Sequence, residues 1–194
     1  MKELLIIFSP SSLARSYQNE FLLVPEKPTE IESLAVGINE KCLLASDLNK
    51  NVCVYVDSQI QLKRLSQQEE LKKYLKLGMD EGEKMFNAFL KGFIKDYTNI
   101  VLLRNLSSKI NKEIIEEAFE KLRFHDYVLG PVNDGGYYLI GMKKLDPFLF
   151  DEHSSRQEIL ARDILNYLYN QKSSFYELPQ LNEIKESDMA KVIL

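Results

Sequence analysis

The stretch Asp126-Tyr127-Val128-Leu129-Gly130-Pro131-Val132-Asn133-Asp134-Gly135-Gly136-Tyr137-Tyr138-Leu139-Ile140-Gly141-Met142 decides how the rest of the chain is read. It opens on a short apolar run, breaks at Gly130-Pro131, turns across Asn133-Asp134-Gly135-Gly136 and leaves as a second apolar run. Two β-type runs separated by Gly, Pro, Asn and Asp predict a strand, a loop and a second strand. Glycine lets main-chain N–H groups approach a ligand without a Cβ in the way. A carboxylate beside two glycines therefore makes this loop the first candidate for a ligand site. From its own residues Asp134 has two roles open to it, a site carboxylate or a turn residue that bonds its own backbone, as Asp-Gly does in hairpins. Tyr137 and Tyr138 fall on opposite faces of the predicted strand. At most one of them is expected to face a pocket while the other packs in the core.

Outward from this stretch, the 194 residues suffice for one domain with a sizeable core, and a single domain over 1–194 is the expectation. A hydrophobic content of 45% with 28% charged residues is that of an ordinary globular protein rather than a disordered or fibrous one. A formal net charge of -4 argues against a broad nucleic-acid footprint, though not against a nucleotide in a local pocket. Cys42 and Cys53 have neither metal-site spacing nor the density of a disulfide scaffold, which implies buried thiols in a reducing compartment. The first apolar run is too brief for a signal sequence or a membrane span, so the expected location is cytoplasmic.

Leu4-Leu5-Ile6-Ile7-Phe8 is a continuous apolar run ending at Ser9-Pro10-Ser11-Ser12, the pattern of a central strand buried on both faces. Val52 to Asp57 and Asn99 to Leu103 read as further strands. Leu62 to Leu77 and Ile110 to Leu122 have helical spacing, as does the segment from Gly78 through Phe93 with its acidic first turn. Beyond Met142 the sequence predicts an apolar turn at Leu145–Phe150, a helix over Arg156–Tyr169, a short strand over Ser174–Leu178 and a mixed tail over Leu181–Ile193. Alternating strands and helices imply a mostly parallel sheet with covering helices, and ligands collect at the carboxyl ends of such strands. Ser9 and Arg15 are then groups available to a nucleotide.

Gly130-Pro131-Val132-Asn133-Asp134-Gly135-Gly136-Tyr137-Tyr138-Leu139-Ile140-Gly141 resembles the DUF2064 family, also described as transferase 1 of the radical-SAM/selenodomain-associated group. Asp80-Glu81-Gly82-Glu83-Lys84-Met85 is similar to that family's Asp-Leu-Gly-Glu-Arg-Met. The resemblance implies a single-domain GT-A-like (nucleotide-diphospho-sugar transferase) fold, an α/β three-layer sandwich around a mostly parallel sheet. GT-A enzymes hold Mg²⁺ or Mn²⁺ on acidic residues at the end of a central strand, where the cation offsets diphosphate charge. In the family that strand ends in Gly-Thr/Ser-Asp-Cys/Ser-Pro, and the matching residues here are Arg104-Asn105-Leu106-Ser107-Ser108, with Leu106 in the acid's place. The first loop carries Ser9 to Arg15 instead of the family's Pro-Gly-Lys and Lys-Thr-Arg-Leu elements. Near the C-terminus Lys185 stands where a second acid would be. The Mg or Mn expected for the family therefore has no retained ligands, and no metal ligand is assigned.

The resemblance implies a glycosyltransferase-like protein that moves a sugar or related group from a nucleotide-activated donor to an acceptor, with a nucleotidyltransferase as a close variant. In that reading Asp134 is the catalytic carboxylate, and Ser9, Arg15, Arg104, Asn133, Gly135, Gly136, Tyr137 and Lys185 contact substrate. Arg104 and Lys185 would supply the positive charge that a cation otherwise brings. Glu83 serves its helix N-terminus, and His125 and His153 are structural or surface residues. The alternative, supported by Leu106, is a transferase-like domain without catalysis that serves as a binding or interaction module. Its expected partner is a nucleotide-activated small molecule, not a nucleic acid.

Overall fold

Strand β1 (Glu3–Phe8) sends Leu5 and Ile7 to one side of a sheet and Leu4, Ile6 and Phe8 to the other, and all five are buried. A run without polar alternation has to be covered on both faces, and it is. The computed structural model describes residues 1–9, 48–64, 71–104, 109–151 and 160–182. The expectations for Arg15, Cys42, Leu106, His153, Lys185 and most of the C-terminal tail lie outside these residues.

The strands β1, β2 (Asn51–Val56), β3 (Lys72–Leu75), β4 (Asn99–Leu103), β5 (Tyr127–Pro131), β6 (Tyr137–Met142) and β7 (Phe175–Glu177) form one sheet in the order β3-β2-β1-β4-β6-β5-β7. Strand β6 runs antiparallel to both its neighbours, and every other pairing is parallel. The carboxyl ends of β1 to β5 and of β7 consequently share one edge of the sheet. The loop between β5 and β6 lies along that same edge.

Four α-helices cover the sheet among the described residues: α1 (Gln59–Arg64), α2 (Glu81–Ile94), α3 (Lys112–Phe124) and α4 (Ala161–Asn170). Ile115, Ala118, Phe119 and Leu122 of α3 pack with Leu5, Ile7, Val101 and Leu103 on one face. Met85, Ala88 and Phe89 of α2, with Ala161, Ile164 and Leu168 of α4, cover the other beside Phe8 and Ile140. This is a three-layer α/β sandwich, as the sequence implies. The buried thiol expected for Cys53 is found.

One element departs from expectation. The helical spacing of Leu62 to Leu77 predicts a helix; α1 is described over Gln59–Arg64, but Lys72–Leu75 is a strand whose residues pair in parallel with Cys53 to Val56. Backbone pairing with β2 outweighs local propensity there, and two lysines suit an edge strand because they discourage further pairing. The helix expected from Arg156 is described from Ala161 onward, and the apolar turn near Phe150 contains a 3-10 turn at Pro147–Leu149.

Burial also fixes an alkaline limit. Desolvation, aided by Cys53 and Tyr74, holds the Tyr55 phenol protonated well above its ordinary range, and burial beside Glu117 does the same for Tyr138. Their folded pKa values exceed the unfolded value of about 10, so their contribution is intact below pH 10 and is lost as pH rises above it. Stability is expected to fall by about 1.4 kcal/mol per pH unit for each tyrosine in that range. Urea titrations at pH 9, 10 and 11 with a tyrosinate absorbance readout check this, and ionisation of both phenols before unfolding would contradict it.

Candidate functional site

The β5–β6 connection is built from short-range bonds that its sequence encodes. Gly135 N–H donates to Val132 O at 3.1 Å, Val132 N–H donates to Gly136 O at 3.0 Å, and Gly136 N–H donates to Asp134 Oδ1 at 3.0 Å. Gly135 has φ +97°, a conformation that side chains disfavour, which explains why glycine stands there. The bond from Gly136 shows Asp134 acting as a turn residue, with its carboxylate held on the exposed side of the loop.

Two outside elements grip this loop. Ala161 N–H at the start of α4 donates to Gly135 O at 2.8 Å. Asn133 N–H donates to Leu181 O at 3.1 Å, Val132 bridges Leu181, and the Asn133 side-chain amide donates to Asn182 Oδ1. A loop held by its own turn and by two neighbours is rigid, which suits the presentation of a carboxylate.

Tyr137 and Tyr138 alternate faces as predicted, and both are buried in the core. Tyr138 lies with the α3 side, and its hydroxyl donates to Pro179 O at 3.1 Å. Tyr137 lies with the α2 side, its hydroxyl 3.7 Å from Met85 Sδ. The Arg104 guanidinium stands 5.1 Å from the centre of the Tyr137 ring, within cation–π range, while Arg104 N–H donates to Tyr138 O at 2.9 Å. The end of β4 and the start of β6 are thereby joined, with a cation partly exposed at the edge.

Ser9 follows β1 directly. It is fully buried, its N–H donates to Tyr55 O at 3.0 Å, and its hydroxyl has no hydrogen-bond partner among the described residues. The Ser9 carbonyl accepts from the Lys76 ammonium at 2.5 Å. Lys76 also donates to Asp57 Oδ2 at 3.1 Å and to Glu81 Oε1 at 3.4 Å, and lies 4.1 Å from the Phe8 ring centre. Lys84 completes the group, 3.5 Å from Asp57 Oδ1 and 3.9 Å from Glu81 Oε2. Burial pushes the Lys76 ammonium below its ordinary pKa, and Glu81 and Asp57 pull it part of the way back.

Sequence reasoning missed this network. Asp57 follows β2 as Ser9 follows β1, so its place at a strand end was visible. Lys76 was hidden because its strand read as helix. Glu83, by contrast, does what the sequence assigned to it: Met79 N–H donates to its Oε2 at 2.6 Å while Glu83 N–H donates to Asp80 Oδ1 at 2.7 Å, a reciprocal cap of α2. One of the helix's N-terminal donors, Glu83 N–H, is thus taken by the N-cap carboxylate of Asp80, and the Glu83 carboxylate holds the residue before the cap. His125 is tied to Ser174 Oγ at 3.0 Å, a structural role.

Of the predicted site residues, Ser9, Arg104, Asn133, Asp134, Gly135, Gly136 and Tyr137 all fall along the carboxyl edge. No three His, Cys, Asp or Glu side chains converge there or elsewhere among the described residues. The two carboxylates that do meet, Asp57 and Glu81, hold ammonium groups. Among the described residues, then, no carboxylate cluster fits the divalent cation of the GT-A scheme, and Leu106, which the resemblance puts at the acid's place, lies outside them.

Solved structures share this fold. A protein from Desulfovibrio desulfuricans G20 assigned as a nucleotide-diphospho-sugar transferase superposes with a TM-score of 0.76 at 19% identity, covering 95% of this chain and 83% of that one. The 4-diphosphocytidyl-2C-methyl-D-erythritol synthase of Anaerococcus prevotii DSM 20548 gives 0.62 at 9% identity, over 98% and 93% of the two chains. A CMP:2-keto-3-deoxy-manno-octonic acid synthetase in complex with CTP gives 0.58 at 12% identity, over 99% and 97%. At these identities the likeness shows the fold, which is that of the nucleotide-diphospho-sugar transferase class. Within it the chain belongs to the DUF2064 family, described as "Uncharacterized protein conserved in bacteria", whose model matches residues 39–155. No curated protein sequence matches the chain. No helix among the described residues is long and apolar enough to cross a membrane.

Proposed function

We propose that the chain is a transferase that binds a nucleotide-activated sugar, or a related nucleotide-activated group, along the carboxyl edge and passes that group to an acceptor at the β5–β6 loop. The observation that carries this reading is convergence: Arg104 after β4, Ser9 after β1 and the tied Asp134 loop between β5 and β6 meet one edge. The fold is shared with a synthetase that has been seen with CTP.

In this reading Arg104, with Arg15 and Lys185, offsets the negative charge of the diphosphate, in the role a metal has elsewhere. Asn133, Gly135 and Gly136 line the acceptor side, and the buried Ser9 and Tyr137 form the floor. With Oδ1 engaged by Gly136, Asp134 Oδ2 takes the proton of an acceptor hydroxyl as its oxygen bonds to the transferred carbon. The bond from that carbon to the diphosphate breaks, and the nucleoside diphosphate leaves with the electron pair.

Asp134→Asn keeps the acceptor oxygen for Gly136 and removes the base. Its expected effect is a loss of about 10²- to 10⁴-fold in turnover with a stability change under about 0.5 kcal/mol. Full activity in this variant would remove Asp134 from the mechanism. The reading as a whole is tested by thermal shift against CTP, UTP, UDP-glucose and GDP-mannose with Mg²⁺, Mn²⁺ or EDTA, since any ligand of the native state stabilises it. A shift that survives EDTA is expected. No shift with any of these probes would overturn the reading. Leu106 favours a second reading, a module that binds without catalysis, which predicts the same shift with no product formed.

A further inference from the structure

We infer that the edge of the sheet opposite the candidate site docks on an anionic lipid bilayer. The inference stands on other residues than the nucleotide reading and does not depend on it. Strands β1 to β5 and β7 begin at this edge and β6 ends there, which places Lys2, Lys72, Lys144 and Lys172 along it. Helices α2, α3 and α4 finish within five residues of the starts of β4, β5 and β7, and they bring Lys95 and Arg123 to the same rim. All six cations are exposed, and none is in an ion pair among the described residues. Lys2 Nζ donates to Lys95 O at 2.5 Å and Lys95 Nζ to Tyr74 OH at 2.9 Å, so two of them are tied together without being neutralised. The exposed acids in these strand and helix ends are Asp96 and Asp126. The chain as a whole has a net charge of -4, so the positive rim is a local excess whose complement is an anionic surface.

Apolar side chains choose between the anionic surfaces. Each of the three helices ends at this rim in an apolar residue left in water, Ile94 on α2, Phe124 on α3 and Tyr169 on α4, 72% to 76% exposed. Helices α2 and α4 cover one face of the sheet and α3 the other, so the tips straddle the rim. Cations near a helix C-terminus complement its dipole, which accounts for Lys95 and Arg123 taken singly. It does not account for Lys2, Lys72 and Lys144 at strand ends, nor for the apolar tips. One exposed apolar residue is ordinary, but three on three helix ends beside a row of cations make an interfacial surface. There the cations meet lipid phosphates and the tips enter the boundary between headgroups and acyl chains. A nucleic acid would engage the cations and leave Ile94 without a partner, whereas a bilayer takes both sets. Docked in this way, the carboxyl edge with its Asp134 loop faces away from the membrane.

The test is sedimentation of the full chain with vesicles of phosphatidylcholine alone or with about 30 mol% phosphatidylglycerol, at low and raised salt, beside a thermal melt of every variant. Wild type is expected to sediment with the anionic vesicles only, and less as salt rises. Arg123→Glu/Lys144→Glu/Lys172→Glu is expected to lower the partition coefficient at least about tenfold, since each cation near an anionic surface contributes roughly fivefold. Ile94→Ser/Phe124→Ser keeps every charge and is expected to lower it about fivefold, a loss that a purely electrostatic contact does not show. Both variants are expected to melt close to wild type, because all five positions are exposed. No sedimentation of wild type with the anionic vesicles, or full binding by the charge-reversed protein, overturns the inference. So does an Ile94→Ser/Phe124→Ser protein that binds like wild type, and tighter binding of a mixed-sequence duplex RNA would then assign the edge to a nucleic acid.

Discussion

Lys76→Met is expected to lower the unfolding free energy by about 3 kcal/mol or more, because it leaves the Asp57 carboxylate in a buried position with the more distant Lys84 as its neighbour. The Asp57 side chain retains 7% of its accessible surface, so water cannot replace the lost ammonium. Removing both charges by adding Asp57→Asn is expected to recover most of the loss, since a neutral pair at a buried site is often as stable as an ionic one. The four-species cycle in urea measures this coupling directly. A second signature is pH dependence. The folded pKa of Lys76 lies below its ordinary 10.5 because of desolvation, which Glu81 and Asp57 only partly offset. Between that lowered value and about 10.5 the unfolded chain binds the extra proton, so Lys76 contributes a rise in stability with pH across this window, opposed above pH 10 by the fall from Tyr55 and Tyr138. Lys76→Met is expected to lose that rise. Equal slopes in the two proteins would contradict the assignment of a desolvated ammonium.

Gly130→Ala is expected to cost about 3 kcal/mol, near the upper end for overpacking in a core. Alanine is ordinarily the better residue in a strand, so the sign of the effect is itself informative. A Cβ at Gly130 would lie 2.7 Å from Cε1 and Cε2 of Tyr138 and closer still to Cζ. The ring cannot yield easily, because Tyr138 is 1% exposed and its hydroxyl is bound to Pro179 O. Shifting it would also disturb the β5–β6 bulge at Gly130/Pro131, from which the Asp134 loop springs. Stability and the loop should fail together in this variant. The double variant Gly130→Ala/Tyr138→Leu, which makes room for the methyl group, is expected to lose less than the sum of its parts. Additive losses would show that the close approach of ring and glycine is not what sets the cost.

Much of the architecture could be read from residues alone because the physics behind it is local. The runs Leu4–Phe8, Val52–Val56, Ile100–Leu103 and Tyr127–Leu129 are apolar on every position, and only a sheet covered on both sides accommodates them. The Asn133–Gly136 turn was legible for a similar reason, since Asp and Gly carry their own turn chemistry. Strand β3 was not legible. Lys72-Lys73-Tyr74-Leu75 has no apolar run to betray it, and what makes it a strand is the exposed edge of β2, a partner 19 residues earlier at the register pair Val54↔Lys73. Missing that strand concealed the Lys76 network, which exists only because the ends of β1, β2 and β3 lie side by side. The carboxylate of Asp134 was found by its motif. The buried ammonium of Lys76 needed the fold.

Amide NMR shift mapping with CTP and UDP-glucose asks whether a nucleotide binds where these strand ends converge. Perturbations are expected at Ser9, Arg104, Asn133, Gly135 and Gly136, saturating together with a single affinity. A spectrum unchanged at saturating nucleotide, or changes confined to the opposite edge around Lys50, Asn99 and His125, would rule out a nucleotide site at these strand ends.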